Sequence, residues 1–180
     1  MFLSVFLPSL SETARGSRAA FRDKLFRLRL PTDLGFLSIS GFLYVMGPAI
    51  IAVLYDDRYL GAGMMLQLLS LSLLFSRYGV VNMAYVALGR AELMASVHVV
   101  KLVASVVLLI AGYHLLGLTG ALLAVACHAA FPVAYMLWTN RSLGLNDFRH
   151  EALVLLAWPV GYVGGRVCLG VLAYLQGWFA

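Results

Sequence analysis

Five long apolar stretches constrain this chain more than any other feature of its sequence. They cover residues 34–55, 60–88, 93–114, 119–138 and 152–175. A helix crosses the hydrocarbon core of a bilayer with about 20 mostly apolar residues, and it satisfies its own backbone hydrogen bonds there. Only 12% of the residues are charged, about half the share in an average soluble domain. The sequence therefore predicts an all-α, polytopic transmembrane helix bundle with about five spans within residues 34–175.

The first ten residues, MFLSVFLPSL, are apolar but too short to cross a bilayer. Pro8 and Ser9 lead into a polar segment, so residues 1–10 predict the end of a transmembrane helix that begins upstream. A signal peptide is the alternative. It is disfavoured because no basic residue precedes the apolar run and no small-residue cleavage site follows it.

Residues 11–33 form a basic segment before the first span. Apolar side chains recur in it at helical spacing, at Phe21, Leu25 and Leu28. The basic residues around them are Arg15, Arg18, Arg22, Lys24, Arg27 and Arg29. This pattern predicts a cytoplasmic amphipathic helix that lies on the membrane face. Because spans flank the segment, we expect its partners to be lipid headgroups rather than nucleic acid.

The distribution of basic residues predicts the orientation of the bundle. If residues 11–33 are cytoplasmic, the connections at 89–92 and 139–150 lie on the same side of the membrane. Nine Lys or Arg residues then lie inside, whereas Arg58 alone lies outside. Cytoplasmic connections carry the excess of Lys and Arg in membrane proteins, so this orientation is the predicted one.

Three spans contain Arg or Lys residues, which are expensive to bury in lipid. Arg77 and Lys101 are each about twelve residues from Gly89 in the turn that joins their spans, so both lie roughly 18 Å from that turn. His98 shares the helical face of Lys101, and Arg166 lies in the last span. No Asp or Glu occurs within the five spans, and Glu92 and Glu151 stand only at their ends.

Two interpretations of these cations remain open. Such residues normally face a bundle interior or a water-filled cavity, and an occupant such as a diphosphate would bring its own negative charge. The predicted diphosphate-binding residues are Arg77 and Lys101, with His98 and Arg166 as further candidates. In the other interpretation, Arg77 and Lys101 snorkel to the surface or pair with acids of another part of the protein.

The sequence contains no recognisable catalytic constellation. It has no metal-ligand cluster, no glycine-rich phosphate loop followed by Lys and Ser, and no nucleophile elbow. We therefore expect no catalytic or metal site, no cofactor and no enzymatic activity.

Several motifs resemble those of a known transporter family. They are FLPSLSE with its Pro8 and Ser9, the Y-x-x-A of Tyr59 and Ala62, the A-x-G-R of Ala87, Gly89 and Arg90, and the G-x-x-G-A-x-x-A of Gly117, Gly120, Ala121 and Ala124. In this order they resemble the C-terminal half of polysaccharide and oligosaccharide-lipid flippases. These belong to the multidrug, oligosaccharidyl-lipid and polysaccharide exporter superfamily, which includes O-antigen and exopolysaccharide repeat-unit transporters.

The resemblance implies a specific function. Such proteins have two lobes of six helices, and this chain would supply most of the second lobe while an N-terminal lobe of the same protein would complete the cavity. The implied activity is the flipping of undecaprenyl-diphosphate-linked oligosaccharides across a bacterial inner membrane by alternating access. The alternatives are a multidrug-type exporter of the same superfamily and a membrane-embedded glycan polymerase or acyltransferase. A cavity lined with cations opposes the cationic substrates of multidrug exporters.

Overall fold

The computed structural model describes residues 8, 10–14, 16–146 and 148–179, which form helices and turns and contain no strand. The helices after residue 17 are α1 (Arg18–Leu54), α2 (Leu60–Ser70), α3 (Leu73–Ser76), α4 (Gly79–Ala87), α5 (Ala91–Cys127), α6 (Ala130–Leu143), α7 (Phe148–Leu155) and α8 (Ala157–Phe179). A short 3-10 helix, Asp57–Tyr59, joins α1 to α2. Most of the predicted end of a truncated helix at residues 1–10 falls outside the described residues.

Four helical stretches are long and apolar enough to cross a membrane. They are Arg18–Leu54, Leu60–Ala87, Ala91–Leu143 and Arg149–Tyr174. Many large apolar side chains on them are exposed, among them Leu115 at 79% and Trp138 at 70%. A soluble surface rarely carries so many, whereas a lipid-facing surface requires them. An all-helical architecture with helices suited to a membrane is therefore confirmed.

Helix α1 joins two segments that the sequence predicts to be separate. The basic segment 11–33 and the span 34–55 contribute to one helix, which begins after Ser17, whose hydroxyl accepts a hydrogen bond from the Ala20 amide. Pro31 lies inside this helix without ending it. The buried residues recur every fourth position, at Phe21, Leu25, Arg29, Asp33 and Leu37. This stripe brings charged residues onto the face of α1 that packs against the bundle.

Two prolines explain two interruptions of the helices. A proline ring clashes with the carbonyl group four residues earlier. The residue four positions before Pro132 is His128, which lies between the end of α5 and the start of α6. The residue four positions before Pro159 is Leu155, the last residue of α7. The structure thus divides the predicted span 152–175 between α7 and α8.

The third long stretch folds back on itself at Gly117. This residue has φ 61° and ψ −140°, which a side chain would disfavour and which interrupts α5. In a straight helix, Gly112 and Gly120 would be about 12 Å apart. Instead their backbones touch, since a Cβ on Gly112 would lie 2.5 Å from the Gly120 carbonyl oxygen. The stretch therefore consists of two helices packed against each other.

Close backbone contacts hold α1 against its two main neighbours, α8 and α2. Gly41 of α1 lies against the Trp158 carbonyl group, and Gly161 of α8 lies against Ser38. Gly161 and Gly165 form a small-residue pair of the kind found where membrane helices approach closely. The structure confirms that role, because Gly165 lies against Phe42 and Val45 of α1.

We expect that the α1–α8 contact cannot accommodate even one additional methyl group. Gly161→Ala places a Cβ against the Ser38 carbonyl group and should lower the free energy of unfolding by about 1–3 kcal/mol. Gly164→Ala is the matched control, because no atom lies within 4 Å of its Cβ position. The control should leave stability unchanged or raise it by up to about 1 kcal/mol, since alanine favours a helix. Thermal unfolding of the detergent-solubilised variants measures both, and equal effects would contradict the close contact.

Candidate functional site: a buried ion cluster

Four charged side chains meet inside the bundle, and we call them the buried ion cluster: Arg29, Asp33, Arg77 and Glu151. Arg29, Asp33 and Arg77 are 2%, 0% and 4% exposed, and the Glu151 side chain is 14% exposed. Ionised groups are rarely this buried unless they are paired. The cluster joins α1, the turn between α3 and α4, and α7.

Glu151 binds both arginines. Its Oε1 accepts a hydrogen bond from Arg29 Nη2 at 2.6 Å, and its Oε2 lies 2.7 Å from Arg77 Nη2. Asp33 forms the second, looser link, with its Oδ2 at 3.3 Å from Arg29 Nη2 and 3.5 Å from Arg77 Nη1. Each guanidinium group therefore contacts both carboxylates, and the two positive charges balance the two negative charges.

Two further residues complete the polar contacts. The Tyr78 hydroxyl donates to Glu151 Oε2 at 2.8 Å and accepts from Arg77 Nη2 at 3.0 Å. The Tyr78 ring lies 4.6 Å from the Arg77 guanidinium carbon and 5.2 Å from that of Arg29. His150 Nε2 lies 3.2 Å from Asp33 Oδ2. Cation–π and hydrogen-bond contacts thus add to the Coulombic attraction within the cluster.

Breaks in the second long stretch place Arg77 in the cluster. The predicted helix 60–88 is interrupted at 71–72 and at 77–78. Serine side chains near these breaks bond to preceding carbonyl groups, Ser70 to Gln67 and Ser76 to Ser72. Such bonds compete with the regular helix and bend it. Arg77 follows the last residue of α3, and its Nε donates to the Leu74 carbonyl group at 3.2 Å.

Apolar cores lie on both sides of the cluster. Along α1, Leu25 belongs to the larger core and Leu37 to the smaller one, and the cluster residues of α1 lie between them. The larger core consists of Leu10, Phe21, Leu25, Tyr78, Val80, Val81, Ala84, Tyr85, Val97, Met136, Leu143 and Leu145. The smaller consists of Leu37, Val154 and Ala157. The ion pairs are therefore surrounded by side chains of low polarity, where Coulombic interactions are strong.

Pairing does not satisfy every polar atom of the cluster. Within the described part of the chain, Arg29 Nε, Asp33 Oδ1 and Arg77 Nη1 have no hydrogen-bond partner. A buried polar atom without a partner costs free energy, and desolvation can cancel the gain from a buried ion pair. The cluster therefore holds α1, α7 and the turn between α3 and α4 together at a cost in desolvation free energy. The polar atoms without a partner can still form hydrogen bonds with another ligand.

The structure does not bring the four predicted diphosphate-binding residues together. Arg77 is buried, whereas His98, Lys101 and Arg166 are all exposed on α5 and α8. Asp33 and Glu151, which both lie just outside the predicted spans, pair with Arg77. Asp33 reaches Arg77 because α1 continues from the predicted span 34–55 back through residue 33. The assignment of these four residues to a diphosphate site stays a prediction.

Three members of the cluster are not among the site residues predicted from the sequence. The sequence pattern places Arg29 and Asp33 in the basic surface segment, and Glu151 at a helix end. The sequence does contain a signal that Arg29 and Asp33 are buried, because they continue the four-residue spacing of Phe21 and Leu25. An opposite-charge pair at i, i+4 in an apolar stripe indicates a buried pair as well as a solvated one.

Comparison with known proteins provides no relative on which a function could rest. No protein-family model, no curated protein and no solved structure matches the chain. The resemblance of its motifs to flippases therefore stays a prediction.

We expect strong energetic coupling within the cluster. Arg77→Met or Glu151→Gln alone leaves an unbalanced buried charge and should lower the free energy of unfolding by about 3–5 kcal/mol. The double variant leaves Arg29 paired with Asp33, so it should be more stable than the sum of the single effects by about 0.5–3 kcal/mol. Chemical unfolding in detergent measures this cycle. Arg166→Met, an exposed residue of α8, is the control, and strictly additive effects would contradict the pairing.

Proposed function

We propose that this chain is part of a bacterial inner-membrane transporter that flips undecaprenyl-diphosphate-linked oligosaccharides for cell-surface polysaccharide synthesis. The substrate class is taken from the motif resemblance. The observation that supports transport is the buried ion cluster within helices suited to a membrane. Ionisable groups inside a membrane bundle are costly, and in membrane proteins they commonly mark substrate or ion pathways.

The chemistry of the cluster suits a contact that forms and breaks. A buried ion pair adds little net stability, because desolvation offsets the attraction. Two helices that exchange such partners can therefore occupy two arrangements of similar free energy. Alternating access requires elements with two discrete arrangements of this kind. We infer that the pairing of Glu151 with Arg29 and Arg77 holds α7 against α1 and α3 in one of these states.

A diphosphate has the chemistry to replace the carboxylates. It is an anion with several acceptor oxygens, and a guanidinium group binds such groups through two parallel hydrogen bonds. When α7 separates from α1, Arg29 and Arg77 lose the Glu151 carboxylate and can bind the substrate instead. The lipid chain of the substrate would remain beside the exposed apolar side chains of the helices. Arg77 thereby keeps its predicted role, with Arg29 as its partner.

The proposal includes a topology. We propose five membrane crossings, since the backbone folds back at Gly117 within Ala91–Leu143. Arg18, Arg90 and Leu145 surround one hollow, which supports the predicted common side for residues 11–33, 89–92 and 139–150. By the excess of basic residues this side is cytoplasmic. The N-terminal lobe of the same protein would cover the exposed apolar face of α5.

The alternatives differ in what they transport or transform. The argument from excess positive charge against a multidrug-type exporter is weaker than the sequence suggests, because the cluster is electrically balanced. A glycan polymerase or acyltransferase would change the covalent structure of the lipid-linked sugar, whereas a flippase only changes its leaflet. Assaying the leaflet and the covalent state of the same labelled lipid distinguishes these classes.

Arg77 provides the test of the proposed mechanism. In cells that produce the protein as their only such transporter, Arg77→Gln should lower outer-leaflet lipid-linked oligosaccharide by at least about tenfold, because it removes charge-assisted hydrogen bonds to the diphosphate. Arg77→Lys should retain part of the activity, since it keeps the charge and loses the planar fork. Protease accessibility of the outer-leaflet sugar and cell-surface glycan measure the result.

Arg58→Gln is the control for loss of a positive charge, because Arg58 is exposed and lies in the turn before α2. Membrane insertion of each variant is checked separately. Normal surface glycan in the Arg77→Gln variant would refute the proposed contact. Lys101→Gln distinguishes the diphosphate site predicted from sequence from the buried ion cluster. A loss of activity equal to that of Arg77→Gln would support the predicted site. Normal activity of Lys101→Gln, with a loss in Arg77→Gln, would restrict the site to the cluster.

A further inference from the structure

The stretch between α2 and α4 is wound more tightly than an α-helix, and we call residues 71–78 the tight segment. In an α-helix each amide donates to the carbonyl group four residues earlier. In the tight segment several amides donate to the third residue instead, at 3.0–3.2 Å: Leu71 to Leu68, Ser72 to Leu69, Leu74 to Leu71, Phe75 to Ser72 and Tyr78 to Phe75. Backbone angles agree, since Leu71, Ser72 and Arg77 have φ between −63° and −57° and ψ between −26° and −24°. This is the geometry of a 3-10 helix.

Side chains bind the carbonyl groups that the tighter winding releases. In an α-helix the Leu74 amide would donate to Ser70. The Ser70 carbonyl oxygen instead accepts a hydrogen bond from the Ser40 hydroxyl of α1 at 2.8 Å. The Tyr78 amide would likewise donate to Leu74, whose carbonyl oxygen accepts from Arg77 Nε at 3.2 Å. One donor on α1 and one within the segment therefore stabilise the 3-10 form.

Burial makes these side-chain bonds decisive for the winding. Ser40 and Ser70 are 0% and 3% exposed. The Ser70 hydroxyl donates at 2.7 Å to the carbonyl group of Gln67, which an α-helical Leu71 amide would use. A buried carbonyl group without a donor costs free energy. Since 3-10 hydrogen bonds have poorer geometry than α-helical ones, the tight segment depends on these side-chain donors.

Rewinding of the tight segment would rotate Arg77. A 3-10 helix turns about 120° and rises about 2.0 Å per residue, whereas an α-helix turns about 100° and rises about 1.5 Å. The segment has four residues outside the α-helices: Leu71, Ser72, Arg77 and Tyr78. Their conversion would turn α4 by about 80° relative to α2 and shorten the span by about 2 Å. Arg77 follows α3 and turns by about half of this angle, which breaks its 2.7 Å contact with Glu151.

We propose that the tight segment is the switch that opens the buried ion cluster. In its 3-10 form the segment directs Arg77 to Glu151 of α7, and in an α-helical form it withdraws Arg77. The withdrawal removes one of the two arginines that bind Glu151, so α7 can separate from α1. A 3-10 stretch inside a longer helix often marks a functional hinge. The inference rests on the proposed exchange of partners in the cluster, and it names the element that moves.

The distance between two spin labels tests the proposal in the full chain, in detergent and without substrate. Met64→Cys places one label on α2, where Met64 is 51% exposed, and Arg90→Cys places the other in the exposed turn after α4. Cys127→Ser and Cys168→Ser remove the native thiols. The two windings should give two label distances that differ by about 2 Å or more.

Ser40→Ala combined with Ser70→Ala removes two of the donors that the 3-10 form needs. Each substitution should raise the population of the second distance relative to the first by up to about tenfold. Ser38→Ala combined with Ser96→Ala is the matched control. It removes one serine that donates to a carbonyl group of α8 and one that donates within its own helix, both outside the segment. The control should keep the distances of the unmodified serines.

Hydrogen exchange of the amides at 71–78 provides a second measurement that a merely structural role would not explain. The variant with Ser40→Ala and Ser70→Ala should exchange these amides more slowly, because α-helical hydrogen bonds have better geometry. Loss of packing alone would make the exchange faster. If the double variant does not fold, Ser40→Ala alone replaces it and should change both measurements in the same direction.

Unchanged label distances, faster exchange at 71–78, or an equal change in the control would each overturn the proposal. Failure of the proposed transport is detected separately. Normal surface glycan in Arg77→Gln would refute the substrate contact, whereas a second label distance in Ser40→Ala would still support the switch.

Discussion

The contact of Glu151 with two arginines is the interaction on which the interior of this bundle depends. It connects α7 to α1 and to the turn after α3, three elements that are far apart in the chain. A carboxylate between two guanidinium groups is stable in an apolar interior only while all three remain together. Charge balance also requires Asp33 beside the two arginines, because two arginines beside one glutamate would leave a buried net charge.

Glycine contacts make this arrangement possible. The helices around the cluster approach until backbone meets backbone, at Gly41 and Gly161 between α1 and α8, and at Gly63 between α2 and Pro48 of α1. Small residues at such crossings increase packing contacts where lipid provides no hydrophobic driving force between helices. The bundle thus combines close contacts that depend on the absence of a side chain with ion pairs that depend on charge balance. Only the second kind can be altered by an anion, which is why the proposed transport mechanism relies on it.

The buried ion cluster has no net charge and lies between apolar cores, so a ligand must separate helices to reach it. In the proposed function, its two arginines bind the transported substrate once α7 has separated from α1.

The sequence by itself determined the helical class, the suitability for a membrane and the small-residue pair Gly161 and Gly165. These follow from local properties: apolar length and small-residue spacing. Only the tertiary structure decided that Asp33 and Glu151 meet Arg77, and that Lys101 faces away. The partner of a charge depends on which helices become neighbours, and a helix that extends past its apolar stretch, as α1 does, brings residues into the interior that hydropathy assigns to the surface.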